Sequence, residues 1–128
     1  MKARVTHIGI YSMDLERLKD FYVKYFNAVS NEKYQNSKGF SSYFLTFDSD
    51  VRVEIMANTN LQEHKHCDLE SGMNHLAFSV GSKEEVLALT RQLEEDGFEV
   101  LSQPRVTGDG YFESKIADPD GNSIEITA

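Results

Sequence analysis

Hydrophobic and polar residues follow the same succession of patterns twice along the chain. Alternation from Val5 to Tyr11 predicts a strand, and apolar positions at helical spacing from Leu15 to Phe26 predict an amphipathic helix. Period-two alternation predicts the remaining strands of this half at 28–35, 40–47 and 51–57. The second half repeats the succession, with strands predicted at 74–80, 98–103, 111–117 and 122–127.

Local signals mark where these elements begin and end. Asp14 can cap the first helix, and Ser82 with Glu85 forms a capping box at the start of the second, which stops at Gly97. The segment 118–121, Asp-Pro-Asp-Gly, is a strong turn signal between the last two strands. Each half therefore reads β-α-β-β-β. The predicted fold class is α+β, with two tandem βαβββ modules that share one mostly antiparallel sheet and have their helices on one face of it.

The length of 128 residues suits one domain, and the repeat divides it. We expect a first module at about 1–57, a polar linker at about 58–72 and a second module at about 73–128.

Each module carries one histidine and one glutamate at equivalent positions. His7 precedes Glu54 by 47 positions, and His75 precedes Glu125 by 50. Because side chains alternate along a strand, all four fall on the face opposite to the neighbouring aliphatic residues. If the aliphatic faces cover the helices, the four ionisable side chains line the other side of the sheet.

Taken singly, each of these residues is typical of a solvent-facing strand position. Their joint arrangement instead favours a metal site, because two imidazoles and two carboxylates suit a divalent first-row transition metal. Four protein ligands in an octahedral shell would leave two positions open, as catalytic sites require.

Composition and charge narrow the function classes. There are 13 Lys and Arg residues against 21 Asp and Glu residues, for a net charge of −8, which argues against nucleic acid and anionic membranes as partners. The sequence shows neither an apolar run of the roughly 18 residues that a membrane span needs nor a signal-peptide pattern. A single cysteine, Cys67, rules out an internal disulfide, so we expect a cytoplasmic protein.

Other candidates for chemistry are weaker. The segment 64–67, His-Lys-His-Cys, has a metal-binding composition but lies in the linker and is interpreted as a polar loop. The polar loop 107–111 is either a hairpin connection or a segment that closes over a ligand, and the sequence supports both equally. Arg52 and Arg105 could bind an anionic substrate group, although exposed arginine is common.

The paired modules resemble the vicinal oxygen chelate superfamily, and within it glyoxalase I. The strongest elements of the resemblance are His7, Glu54, His75 and Glu125, together with the 118–121 turn before the final glutamate. The Phe-Tyr pair at 21–22 fits more weakly, and the resemblance covers essentially the whole chain.

This resemblance implies a lyase that isomerises the hemithioacetal of a 2-oxoaldehyde and a thiol to a 2-hydroxyacyl thioester, as in methylglyoxal detoxification. The two βαβββ modules would form a curved mixed sheet around a divalent metal. The metal would be zinc or nickel, with cobalt, manganese and iron as further candidates, and its ligands would be His7, Glu54, His75 and Glu125. Glu125 would be the catalytic base and Glu54 its partner. The resemblance also implies a homodimer, with sites formed either between two chains or within one, and the sequence does not choose between them.

Two positions bear on the thiol cofactor. Glutathione-using relatives tend to have arginine four residues after the first histidine, where this chain has Tyr11. Asn58, four residues after Glu54, matches the asparagine that they use for the thiol. The resemblance therefore supports the metal chemistry better than it supports glutathione recognition.

Competing functions come from the same superfamily. Fosfomycin-modifying transferases and ring-cleaving dioxygenases use two histidines and one glutamate, so Glu54 argues against them. Methylmalonyl-CoA epimerase usually has an amide at that position and is the nearest enzyme alternative. A drug-sequestering module of the bleomycin-resistance type is the non-enzyme alternative, although it would not need four metal ligands.

Overall fold

The computed structural model describes residues 1–65 and 67–128, which form two compact units, Met1–His64 and Lys65–Ala128. The first unit contains β1 (His7–Tyr11), α1 (Leu15–Phe26), β2 (Val29–Ser30), β3 (Tyr34–Gln35), β4 (Phe40–Thr46) and β5 (Arg52–Asn58). The second contains β6 (His75–Ser79), α2 (Lys83–Glu95), β7 (Val100–Val106), β8 (Phe112–Ala117) and β9 (Ser123–Thr127). We refer to the units as module one and module two.

The two modules have matching sheet topologies. In module one the strands are ordered β1-β5-β4-β2, and β3 also pairs with β4; in module two the order is β6-β9-β8-β7. The first strand of each module lies parallel to its last strand, and the other pairs are antiparallel. The α+β class and the two modules of mixed sheet are confirmed. The described strands pair as two sheets and not as the single predicted sheet, because every strand pair among them joins two strands of the same module.

The strand predicted at 28–35 is two short strands, both paired with β4. Asn31 interrupts it. Its side-chain oxygen accepts a hydrogen bond from the Phe44 backbone amide at 2.8 Å, while its own amide donates to the Phe44 carbonyl at 3.1 Å. A side chain thus takes the place of a backbone acceptor, which ends the regular ladder at this residue.

Each helix packs its apolar stripe on the aliphatic face of its own sheet. In module one, α1 contacts β4 and β5, and in module two α2 contacts β7, β8 and β9. The fully buried aliphatic side chains of the two cores are Leu18, Leu45, Ile55, Val86, Leu93, Ile116, Ile124 and Ile126. Removing such side chains from water is the main term that stabilises each module. The opposite faces of the sheets stay free of their own helix.

The predicted helix ends are confirmed. Asp14 accepts a hydrogen bond from the Arg17 amide at 3.1 Å, and Ser82 accepts one from the Glu85 amide at 3.2 Å. Gly97, with φ of 93°, follows α2 and allows the left-handed turn that other residues adopt at a cost.

The turn between β8 and β9 is organised by the buried carboxylate of Asp118. One of its oxygens accepts hydrogen bonds from the amides of Asp120 and Asn122, both at 2.9 Å, and the other accepts one from Asn122 Nδ2 at 2.9 Å. Side-chain acceptors of this kind fix a turn without help from other strands. This turn sets the register of β9, and so the position of Glu125.

We expect Asp118→Ala to destabilise the protein by about 2 kcal/mol, because three donors lose a charged acceptor. Urea unfolding measures the change. Asp48→Ala is the matched control, since Asp48 is an exposed turn residue of the equivalent hairpin in module one, and it should change stability by less than about 0.5 kcal/mol. Equal effects of the two substitutions would contradict the role assigned to Asp118.

Candidate functional site

The parallel pairing of first and last strands brings one histidine and one glutamate together in module one. In the register of β1 and β5, His7 lies opposite Arg52 and Gly9 lies opposite Glu54. His7 and Glu54 are therefore diagonal neighbours on the face opposite to α1, with Nε2 and Oε1 3.9 Å apart. The Glu54 side chain is only 18% exposed although it carries a carboxylate.

Module two repeats this geometry. His75 lies opposite Ser123 and Ala77 opposite Glu125, which is the same diagonal relation. His75 Nε2 is 3.1 Å from Glu125 Oε2, and the Glu125 side chain is also 18% exposed. In both modules the residue opposite the glutamate is small, Gly9 or Ala77, so the carboxylate has no bulky side chain beside it on the first strand. The structure thus brings the predicted ligands together in two equivalent pairs.

The residue before each histidine makes a hydrogen bond with Nδ1, the ring nitrogen that does not face the glutamate. Thr6 Oγ1 lies 2.9 Å from His7 Nδ1, and Asn74 Oδ1 lies 2.8 Å from His75 Nδ1. Asn74 is held in turn by a bond from its Nδ2 to the Asp68 carbonyl at 3.3 Å. A partner that occupies Nδ1 orients the ring and leaves Nε2, beside the glutamate, as the nitrogen that could bind a metal. Sequence reasoning did not assign Thr6 and Asn74 a role, although a polar residue precedes each histidine.

The repeat is broken at the position opposite each glutamate on the neighbouring antiparallel strand. Phe44 faces Glu54, whereas Lys115 faces Glu125. Lys115 Nζ is 3.8 Å from Glu125 Oε1, so the two oxygens of Glu125 face a histidine and a lysine. Glu54 instead has an aromatic neighbour, and the two glutamates therefore have different electrostatic surroundings.

A second carboxylate, Glu113, lies on the same face of module two. Burial raises its pKa, as do a hydrogen bond with Glu125 and repulsion from the Glu125 charge; Arg105 lowers the pKa and Asp109 raises it. Glu113 faces Thr127 in the register that places Lys115 opposite Glu125. Sequence reasoning missed both Glu113 and Lys115, although the register of a hairpin closed at 118–121 would have placed them on the face of Glu125.

Tyr11 and Asn58 lie at the far ends of β1 and β5 from His7. The Tyr11 side chain shares the face of His7 and is half exposed. The Asn58 side-chain oxygen accepts a hydrogen bond from the Asn60 amide at 2.9 Å, which makes it part of a turn. Its Nδ2 group has no hydrogen-bond acceptor among the residues that the structure describes.

Two further sequence candidates are the segment 64–67 and the loop 107–111. His66 of the 64–67 segment lies outside the described residues, and Cys67 is a free, exposed cysteine. The loop 107–111 is a hydrogen-bonded hairpin connection, in which Thr107 donates to the Tyr111 carbonyl at 2.7 Å and Gly110 to the Thr107 carbonyl at 3.0 Å. Within residues 1–65 and 67–128, no group of three or more His, Cys, Asp or Glu side chains is arranged to hold a metal ion, and no helix is long and apolar enough to cross a membrane.

We expect Glu125→Gln to lower the pKa of Glu113 in the metal-free protein, because a neighbouring negative charge is removed. Arg105→Gln should move the same pKa upward, since it removes a cation. Carboxyl-carbon NMR titration of Glu113 measures both shifts. A pKa that responds to neither substitution would show that burial alone sets it.

Comparison with known proteins places the whole chain in one group of folds. The family model described as Glyoxalase/Bleomycin resistance protein/Dioxygenase superfamily matches residues 4–126. A Bacillus subtilis (strain 168) relative named "Uncharacterized protein YqjT" is 30% identical over 125 residues, which are 95% of this chain and 96% of the relative. A second relative from the same organism, named "Probable trivalent organoarsenical cleaving enzyme", is 29% identical over 127 residues, which are 96% of this chain and 78% of the relative.

Among solved structures, glyoxalase I from Zea mays superposes with a TM-score of 0.80 at 21% identity. The match covers 97% of this chain and 44% of the maize chain, so this chain spans less than half of that protein. At this identity the similarity shows the fold.

Proposed function

The chain belongs to the Glyoxalase/Bleomycin resistance protein/Dioxygenase superfamily, and from that premise we propose that it is a metal-dependent lyase of the glyoxalase I type. Its substrate is the hemithioacetal of a 2-oxoaldehyde and a thiol, and its product is a 2-hydroxyacyl thioester. The single observation that carries this proposal is the repeated pair of a histidine and a glutamate, at 3.9 Å in module one and 3.1 Å in module two.

The four side chains fit a divalent transition metal by their chemistry. Both histidines have Nδ1 held by a neighbour and Nε2 beside a carboxylate, which is the orientation that a metal ligand needs. His7, Glu54, His75 and Glu125 would hold zinc or nickel, or alternatively cobalt, manganese or iron. When bound, the ion acts as a Lewis acid on the substrate oxygens. The ligands come from one chain or from the two chains of a homodimer.

Glu125 is the proposed base. Its carboxylate takes the proton from the carbon that bears the sulfur and returns it to the adjacent carbon, so the reaction is an isomerisation without any external oxidant. The neighbouring Lys115, whose Nζ lies 3.8 Å from Oε1, holds the carboxylate in place. Glu54, which lacks a cationic neighbour on β4, is its partner in the metal shell.

Asn58 and Tyr11 are the proposed contacts for the thiol part of the substrate. Asn58 offers its Nδ2 group, since its oxygen already binds the Asn60 amide. Tyr11 offers a half-exposed phenol on the same face. Neither is a cation, so neither supplies charge recognition for an acidic thiol.

Carbon–arsenic cleavage is a second candidate, because one relative is named as a probable organoarsenical cleaving enzyme. Trivalent arsenic is a soft centre that binds thiolates. This chain has one cysteine, Cys67, which is exposed and lies outside both histidine–glutamate pairs. A single chain therefore offers one thiolate at most, which makes the isomerase the better-supported function.

The test is a metal-titrated assay with methylglyoxal and several thiols. We expect turnover that depends on metal, and we expect Glu125→Gln to lower kcat by at least a hundredfold while the far-ultraviolet circular dichroism stays unchanged. Isomerase activity that survives this substitution would overturn the assignment of the base. Bound metal without turnover of any hemithioacetal would instead favour an epimerase, a thiol transferase or arsenical cleavage. Failure to bind any metal would favour a small-molecule-binding module.

A separate prediction concerns metal affinity. Asn74→Ala removes the acceptor that orients His75, and we expect the metal dissociation constant to rise about 10- to 100-fold. Asn74→Asp keeps an acceptor for His75 Nδ1 but loses the Nδ2 bond to the Asp68 carbonyl, so it should retain more metal affinity than the alanine variant. Competition with a chromophoric chelator measures both values. Equal affinities for the alanine and aspartate variants would contradict a role for the Asn74–His75 hydrogen bond.

A further inference from the structure

Arg52 is held in a defined position on the site face of module one. It is the first residue of β5 and lies directly opposite His7 in the parallel register. Its guanidinium stacks over the Phe44 ring at 4.4 Å from the centroid. The His7 ring meets the same Phe44 ring edge-on, with centroids 5.5 Å apart. One aromatic side chain thus positions a cation beside a proposed metal ligand.

The charge of Arg52 is not neutralised by a neighbour. In the part of the chain that the structure describes, no carboxylate lies within 4.0 Å of the guanidinium, and its side chain donates no hydrogen bond. Lys115, a cation on the site face of module two, differs in this respect, because its Nζ lies 3.8 Å from Glu125 Oε1. In a protein with a net charge of −8, a fixed cation without an acidic partner is a specific local feature.

The fold does not require an arginine here. The equivalent position in module two, opposite His75, is Ser123, and the position of Phe44 is taken there by Lys115. Both members of the stacked pair therefore depart from the repeat. Arg52 and Phe44 lie on the face that carries His7 and Glu54. The difference between the modules therefore affects which ligand this face can bind.

We propose that Arg52 is a specificity residue that binds a carboxylate carried by the hemithioacetal substrate. This inference rests on the proposed function and specifies its substrate class. A guanidinium presents paired donors in one plane, which match the two oxygens of a carboxylate, and the contact with the Phe44 ring keeps this group beside His7. Because the protein is acidic overall, an anionic substrate needs such a local cation to overcome the general repulsion.

The carboxylate can belong to the thiol or to the aldehyde, and the assay separates the two sources. Methylglyoxal is paired with mercaptoacetate or with neutral 2-mercaptoethanol; a 2-oxoaldehyde bearing a terminal carboxylate is then paired with 2-mercaptoethanol. We expect Arg52→Met to raise KM at least tenfold for the carboxylate-bearing hemithioacetal of one source, with kcat nearly unchanged. KM for the neutral pair should change by less than about twofold.

Two further variants control for charge and for packing. Arg52→Lys keeps the cation, so it should be more selective for the carboxylate-bearing substrate than Arg52→Met. If Arg52 had only a structural role, the lysine variant would show no such selectivity. Arg4→Met removes an exposed arginine of module one that is paired with Asp50 at 3.0 Å. It should leave KM unchanged for both the carboxylate-bearing and the neutral hemithioacetal. Equal effects of Arg52→Met on the charged and neutral substrates, or no effect on either, would overturn the proposal.

A binding experiment on the metal-free protein separates this inference from the proposed function. The probes are the anion (methylthio)acetate, CH3SCH2COO⁻, and the neutral 2-(methylthio)ethanol, neither of which can react. We expect only (methylthio)acetate to shift the Arg52 Nε–H NMR signal in a saturable way. Absence of turnover with every hemithioacetal would defeat the proposed function, while absence of a carboxylate-selective shift at Arg52 would defeat this inference.

Discussion

The parallel pairing of the first and last strand in each module is the constraint on which the site depends. In this register the histidine of the first strand lies diagonally across from the glutamate of the last strand, with a small residue opposite the glutamate. A shift by one residue would turn one side chain toward the helix and the other away from it, because successive side chains alternate between faces. The burial of Ile55, Ile124 and Ile126 under the helices therefore also secures the orientation of Glu54 and Glu125.

The same backbone plan supports two different chemical surroundings. The histidine–glutamate pairs repeat, and so does the device that holds each histidine through the residue before it. The neighbours of these pairs do not repeat. Phe44 and Lys115 face the two glutamates, while Arg52 and Ser123 lie opposite the two histidines. A duplicated scaffold thus keeps the groups that would bind a metal and varies the groups around them. Under the proposed function, module one would contribute substrate selection and module two the movement of the proton.

Short-range signals in the sequence predicted much of the secondary structure. Asp14, Ser82 and Gly97 act on their own helices through bonds that span a few residues, so their roles follow from local chemistry. The strand predicted at 28–35 was incorrect in detail, because the Asn31 side chain replaces a ladder bond by contacting Phe44, 13 positions away. The single predicted sheet failed for a related reason. Alternation states which face a residue occupies, but it does not state which strands exchange hydrogen bonds.

The sequence by itself determined the two-module α+β fold, the face on which each histidine and glutamate lies, and the chemical types of the candidate ligands. These properties depend on periodicity and on residue identity. The tertiary structure decided which side chains meet: Asn74 with His75, Lys115 and Glu113 with Glu125, and Arg52 with Phe44. Apart from Asn74 with His75, these contacts join residues on different strands, and they arise from the register of packed sheets, which is set by burial and turn geometry over the whole module and not by any one segment.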